Sequence, residues 1–452
     1  ARGAKGPVVD NVVQRLLGPL AMPTPMANFD GMYNQWGGIP PDTVGDVGPY
    51  HYVEQVNLGV KIFDKNGATV AGPYSFNDFF QGFGGVCESL NNGDPVVLYD
   101  QLADRWFLSQ FAFTSQSGPT HQCIAVSTTG DPAGAYYRYD FLSAAVGFDD
   151  YPHYGVWPNA YYMTANRFNA PGFAGANVAY ERAAMLAGDE ARMVVYLVTN
   201  NGGALPTDLD GYAMPVLTDT NTIYYNTDPA TGLVDAYKFM VNWSDPVVST
   251  FTGPIPVVGV DPWESNICSA PREQCIPQPD TDANLEAIAD RFMHRIAYRN
   301  FGDHESVVAN FTVNASGTVP GVAGIRWMEF RNISTAPTVY QQGTFAPDDG
   351  LYRWMGSVAM DGQGNISLGY SASSEEEYPS IRYAGRLADD PLGELTQGEA
   401  LMYQGTGSED YPAAPRWGDY SSLNVDVDDC TFWYAQQYFA QTGLRNWRTR
   451  IG

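Results

Sequence analysis

Lysine is nearly absent. Of 24 basic residues only Lys5, Lys61, Lys65 and Lys238 are lysines, against 50 acidic residues, for a formal net charge of −26. A surface this acidic repels nucleic acid and anionic membranes, so neither is an expected partner. No apolar run approaches membrane-spanning length. The start, Ala1-Arg2-Gly3, carries no signal peptide and reads like a processed end. Cysteine and histidine number five each, with no C-x-x-C and no Cys/His cluster, which removes a zinc site. The phosphate-binding glycine loop, the G-x-S-x-G elbow, HExxH and the dinucleotide fingerprint are missing as well.

Aromatic residues are plentiful, at 13% of the chain, beside 47 glycines and 31 prolines. That mixture favours short strands separated by many turns. Only the stretch from Leu285 to Tyr298 reads as a helix. Cys268 and Cys275 flank a short proline-containing loop, a spacing that suits a local disulfide, and Cys87 and Cys123 can form a second, leaving Cys430 free in a strand. Disulfides place the chain in an oxidising compartment, hence secreted or at the cell surface.

One pattern recurs every 45 to 60 residues or so: a strand, a turn rich in Asp, Gly and Asn, then an aromatic-rich alternating strand. Its copies begin near Pro41, Pro95, Tyr151, Tyr212, Arg295, Arg353 and Arg416. Each is followed by further strand-like runs, so each unit is a small sheet. The expected fold class is all-β: a seven-bladed β-propeller forming one domain over residues 37–452, which leaves only short, protected sheet edges. Residues 1–36 form a long N-terminal extension, and its proline-rich stretch holds candidates for a strand that completes the last blade. A β-sandwich does not account for a unit repeated seven times with the same turn chemistry.

The runs Pro40-Pro41-Asp42-Thr43-Val44-Gly45-Asp46-Val47-Gly48-Pro49 and Arg416-Trp417-Gly418-Asp419-Tyr420-Ser421-Ser422 resemble those of a family of bacterial secreted β-propeller proteins. The resemblance covers nearly the whole chain and implies fold and export, but no activity. A looser resemblance is to sialidase-type propellers with Asp-box turns. Its nearest match, Asp361-Gly362-Gln363-Gly364-Asn365, lacks the Thr-Trp ending, and no sialidase nucleophile motif can be placed.

In a propeller, the start of each inner strand opens on the ligand-binding face. The repeat alignment puts Arg295, Arg353 and Arg416 at equivalent openings, where three guanidinium groups would clamp a carboxylate or sulfate, with Trp354 and Trp417 beside them. Alternatively, each Arg pairs with an Asp of a neighbouring inner strand (Asp42, Asp46, Asp150 or Asp419) and seals the channel. Asp42, Asp419, His153, His294 and Tyr420 lie at the other openings and are the candidates for proton transfer or nucleophilic attack. Asp426, Asp428 and Asp429 form an oxygen-rich turn able to take Ca²⁺.

Two functions fit this reading. One is a propeller that binds an acidic or sulfated extracellular glycan at the channel mouth and cleaves it, as a glycoside hydrolase or a polysaccharide lyase. The other is a non-catalytic, surface-exposed binding or structural propeller. Free arginines in an open mouth favour the first; paired arginines in a plugged channel favour the second.

Overall fold

The computed structural model describes residues 8–170, 172–228, 232–270, 272–411 and 415–452. Strand makes up 49% of the chain and helix 4%, so the protein is all-β. Five sheets have four strands each, and a nine-stranded sheet resolves into two more four-stranded units joined edge to edge, plus the short strand Val13–Gln14. Within every unit but the last the strands are antiparallel neighbours in sequence, as short hairpin turns dictate.

The first strands of the units are Val44–Val47, Gly93–Asp100, Phe148–Val156, Leu205–Leu209, Ile296–Asn300, Tyr352–Met360 and Ser422–Val425. Each lies against the next, and the last returns to Val44–Val47, closing a ring. Side chains stitch this ring: Asp46 Oδ2 accepts from the Tyr99 N–H at 2.7 Å, and Asp208 Oδ1 from the Val156 N–H at 2.7 Å. Between sheets the aromatics do the packing. Phe107 meets Tyr154 and Tyr161 of the next sheet at 5.0 and 4.8 Å between ring centres, and Trp157 meets Tyr298 at 4.8 Å. Each such ring removes roughly 150–250 Å² from water, which is why an aromatic-rich sequence can hold many thin sheets edge-on.

The last unit takes its outer strand from the beginning of the chain, where Phe29–Tyr33 pairs antiparallel with Trp447–Ile451. Gly31 is required there: a Cβ would lie 2.4 Å from Thr449 Oγ1 and 2.5 Å from Glu54 Oε2. Upstream, the extension runs as a strap over the outer edges of neighbouring sheets. Val12 O accepts from Thr344 N at 2.8 Å, Gln14 Oε1 from Leu395 N at 2.8 Å, and Asn28 Nδ2 donates to Met402 O at 2.8 Å. Deleting residues up to Tyr33 should lower the melting temperature by roughly 10 °C or more and cause aggregation through the bared Trp447–Ile451 edge. Scanning fluorimetry and light scattering would show this, and an unchanged, monodisperse protein would contradict it.

Two disulfides are present, Cys87–Cys123 and Cys268–Cys275. Cys430 is free and exposed, but it sits in the turn before Phe432–Phe439 and not in a strand. Among the described residues no helix is long and apolar enough to cross a membrane.

Two expectations need correction. Leu285 to Tyr298 is not a helix: it holds the strand Leu285–Glu286, an irregular stretch and the start of Ile296–Asn300. Leu285, Ala287, Ile288, Ala289, Phe292 and Met293 are all buried, with only Asp290 exposed between them, so the burial of the segment carries no helical period. The fourth unit begins at Leu205–Leu209, not in 212–217. There the alternating Tyr212, Met214 and Val216 are 60%, 49% and 61% exposed on a loop, which mimics a strand by pattern alone.

Candidate functional site

The openings of the first strands share a local conformation. Asp42, Asp94, Tyr151 and Met355 have φ of +48°, +45°, +56° and +51°, a region that non-glycine residues rarely occupy and that is held by surrounding contacts. Their side chains and those next to them build three layers along the axis.

The outer layer is a mouth of carboxylates. Asp42 Oδ1 accepts from the Asp419 N–H at 2.8 Å, and its Oδ2 from Asn57 Nδ2 at 2.6 Å. Asn57 Oδ1 accepts from the Asp94 N–H at 2.8 Å, and Asp94 Oδ2 from the Tyr151 N–H at 3.0 Å. One hydrogen-bonded girdle therefore links four successive openings of the ring. Burial, reinforced by Asp419, pushes the Asp42 carboxyl up to about 7. Burial with Asp150, Asp42 and Asp419 raises Asp94 well above the carboxylate range, and burial with Asp419 raises Asp150. Arginines ring this cluster, each already held: Arg416 by Asp419 and by Glu286 at 3.1 Å, Arg272 by Glu286, and Arg291 by Asp290 at 2.8 Å. Arg291 also stacks over Tyr151, 5.1 Å from the ring centre.

The middle layer is a plug. Tyr151, His153, His294 and Tyr420 stack within 4.2 to 6.0 Å of one another, and each is at most 3% exposed. The Tyr151 hydroxyl donates to Phe292 O at 3.3 Å and that of Tyr420 to Pro152 O at 3.1 Å. Nδ1 of His153 and Nδ1 of His294 are 3.4 Å apart. Burial, with Arg295 beside it, pushes His294 down to about 3; burial, His294 and Arg291 hold His153 well below its ordinary value. Both shifts favour the neutral ring, in which one Nδ1 can donate to the other.

The inner layer centres on Arg295, paired with Asp210 and 3.5 Å from Asp208. Burial raises Asp46 to about 8 and Asp208 to about 7 despite that guanidinium, and it raises Asp210 also.

The predicted residues thus divide. Asp42, Asp419, His153, His294 and Tyr420 all converge on the axis, but only Asp419 keeps some exposure; Asp42 is buried, and the two histidines and Tyr420 are enclosed below the mouth. The three arginines do not form a clamp. Aligned on the turns where Phe301 N bonds His304 O and Asp361 N bonds Asn365 O, Arg353 lies opposite Met293 and not Arg295, because the two turns differ in length. Arg353 is turned into its own sheet, held by Asp349 at 2.6 Å and Glu399 at 2.9 Å. Trp354 and Trp417 are fully buried and pack on each other at 5.7 Å, so neither meets a ligand at the surface. Asp426, Asp428 and Asp429 diverge: Asp426 takes Lys65 and Trp433 Nε1, Asp428 caps its own turn at the Thr431 N–H, and Asp429 binds Arg299. That donor set does not fit Ca²⁺, and among the described residues no group of three or more ligating side chains is placed for a metal.

Sequence reasoning passed over Asp94, Arg272, Glu286 and Arg291. Asp94 had a signal, since Asp94-Pro95 opens its unit as Asp42 opens the first. The others come from the irregular chain between the fourth and fifth sheets, where no repeat points. Two cavities lie away from the mouth: one of about 820 Å³ lined by the 22–27 strap, Tyr383 and Trp433, and one of about 560 Å³ beside the fifth sheet.

No family model and no curated protein matches the chain. Solved structures that it resembles include an ulvan lyase bound to a GlcA(1-4)Rha3S repeat, at 11% identity over 96% of this chain and 92% of that one, with a TM-score of 0.41. Another is an alpha-L-arabinanase of Penicillium chrysogenum complexed with arabinobiose (9% identity, 82% and 100% covered, TM-score 0.39). A third is a hypothetical selenium-binding protein of Sulfolobus tokodaii (8%, 82% and 78%, TM-score 0.42). Likeness at this level carries no residue's role across to this chain.

Proposed function

We propose that the chain is an exported, single-domain, seven-bladed β-propeller, closed by its own N-terminal strand, that binds and hydrolyses a glycan at the channel mouth. The ring of seven first strands supports the blade count, and the two disulfides support export, in keeping with the secreted-propeller motifs around Asp42 and Asp419. The observation that carries the function is the unequal pair Asp150 and Asp419. Asp150 is partly exposed, makes no side-chain hydrogen bond among the described residues, and is pushed upward by burial and by Asp419. Asp419 is paired with Arg416. A carboxyl whose hold on its proton is strengthened, near a carboxylate paired with a cation, is the division of labour that glycoside hydrolysis needs. Asp150 donates its proton to the departing glycosidic oxygen, and Asp419 acts at the anomeric carbon, directly or through a water.

At this mouth an uncharged sugar fits better than an acidic one. Asp42, Asp94, Asp150, Asp419, Glu286 and Asp290 surround Arg272, Arg291 and Arg416, and each arginine is already paired. Asp150→Asn should lower reducing-end release from neutral polysaccharides at least about 100-fold, within the range of a lost general acid, with the melting curve unchanged. Wild-type protein that releases nothing from a broad polysaccharide panel sinks the hydrolase reading. The second reading, a non-catalytic binding propeller, is favoured by the Tyr151–His153–His294–Tyr420 plug, and it would then stand alone.

A further inference from the structure

The fifth sheet carries a cleft of about 560 Å³ at the opposite end of its first strand from the mouth. Its walls are the turn from Gly302 to Glu305, the connection from Arg331 to Thr338, and Val216 from a neighbouring loop. On the outer strand, Tyr340 is 41% exposed. The strand register slips between Glu329 and Phe330, which leaves Tyr340 as the extra, unpaired residue of a β-bulge. Bulges re-aim side chains, and here one presents an aromatic ring to a cleft.

Arg331 lies over that ring, its guanidinium carbon 3.3 Å from the ring centre. Its Nε donates to Glu329 at 2.8 Å, and among the described residues its two terminal nitrogens have no hydrogen-bond partner. This guanidinium is therefore fixed in place by stacking and one ion pair, with its outer edge unspent. Of the mouth arginines, Arg291 and Arg416 each spend a terminal nitrogen on a carboxylate, at Asp290 and Asp419. Across the cleft, His304 is bonded to Asp303 at 2.7 Å and stacked on Phe301 at 4.8 Å. Glu305 is occupied by the Tyr298 hydroxyl at 2.6 Å and the Ser334 N–H at 3.1 Å, so it does not compete for Arg331.

We propose that this cleft binds an acidic sugar unit, its carboxylate or sulfate held by the terminal nitrogens of Arg331 and its ring packed against Tyr340. A preset guanidinium edge matches either oxyanion with two parallel hydrogen bonds. The half-exposed ring supplies apolar area at little entropic cost, and a concave site of this size needs only a few placed polar groups. The site is separate from the mouth and stands whether or not the mouth cleaves anything.

Calorimetric titration of the full chain tests it, with chondroitin tetrasaccharide as the carboxylate probe, its sulfated form, and its carboxyl-reduced form. Wild type should bind both acidic forms and bind the carboxyl-reduced, unsulfated form at least tenfold more weakly. Binding of the sulfated, carboxyl-reduced form shows that sulfate alone suffices; its loss assigns the contact to the carboxylate. Arg331→Lys keeps the charge but loses the paired donors, and it should weaken acidic-probe binding tenfold or more; Tyr340→Ala, on an exposed strand position, should do the same with an unchanged melting curve. Asp150→Asn should leave this binding intact, which separates the cleft from the mouth. The proposal is overturned if wild type binds neither acidic probe, if neither cleft substitution weakens binding, or if Asp150→Asn abolishes it.

Discussion

Arg353→Ala should destabilise the protein by about 3–5 kcal/mol, the usual consequence of stranding buried charge. Arg353 is fully buried and donates through Nη1 and Nη2 to Asp349 at 3.0 and 2.6 Å and through Nε to Glu399 at 2.9 Å. Asp349 is partly exposed and can rehydrate once the guanidinium is gone. Glu399 cannot: its carboxylate has only 5% exposure and keeps Arg382 at 2.7 Å and the Tyr370 hydroxyl as its remaining partners. Chemical denaturation of the purified variant gives the loss directly. Glycan binding, measured on the same sample under native conditions, should be unaltered, since Arg353 faces neither the mouth nor the cleft. A loss below about 1 kcal/mol would place this network among surface ion pairs in energetic worth.

The second large effect is with pH. Burial raises Asp46 to about 8, Asp42, Asp208 and Glu54 to about 7, and Glu409 to about 8. Between the ordinary carboxyl range and those values the folded chain holds more protons than the unfolded one, so these groups stabilise the fold in acid and lose that contribution as pH rises toward 8. His153 and His294 act in the other direction. Their depressed values mean the unfolded chain binds protons first, so they weaken the fold as pH falls below about 6.5. Above that pH the histidines contribute no slope and only the acids remain. Stability should therefore fall steadily from pH 6.5 to 8.5. Asp46→Asn keeps an acceptor for the Tyr99 N–H and carries no charge to bury. Its stability relative to wild type should rise by about 1.4 kcal/mol per pH unit between pH 5 and pH 8 and level off above that. Denaturant midpoints across pH decide this; a wild type whose midpoint rises from pH 6.5 to 8.5 contradicts it.

Much of the fold is legible along the chain because a strand between two packed sheets must alternate and a short hairpin needs its Asp, Gly or Asn. The runs at Val96, Tyr154 and Val358 are strands for that reason. Legibility fails where the pattern is produced by something else. Tyr212, Met214 and Val216 alternate on a loop, while Pro206 disguises the strand at Leu205–Leu209. Gapless alignment of Arg295 with Arg353 fails for want of turn geometry: the chain does not reveal that the Phe301–His304 turn is tighter than the one at Asp361–Asn365. The site suffers from a different loss. A two-residue period says which side of a strand faces the axis, and so it finds His153 and His294. It says nothing about depth, which depends on how far the side chains of the other first strands reach over the same spot. Arg331 and Tyr340 are invisible at that level, since one slipped residue in a ladder makes their cleft.

The Phe29–Tyr33 strand has a consequence for how the molecule is made. The hydrogen bond from Met32 N to Thr449 Oγ1 joins residues 417 apart, so this strand waits for a partner that is made 417 residues later. At roughly 5–20 residues per second, that wait is on the order of 20–80 s. Throughout it the ring is an open crescent with two bare edges. Clasping the crescent is therefore a late event in folding, possible only once Trp447–Ile451 has been made.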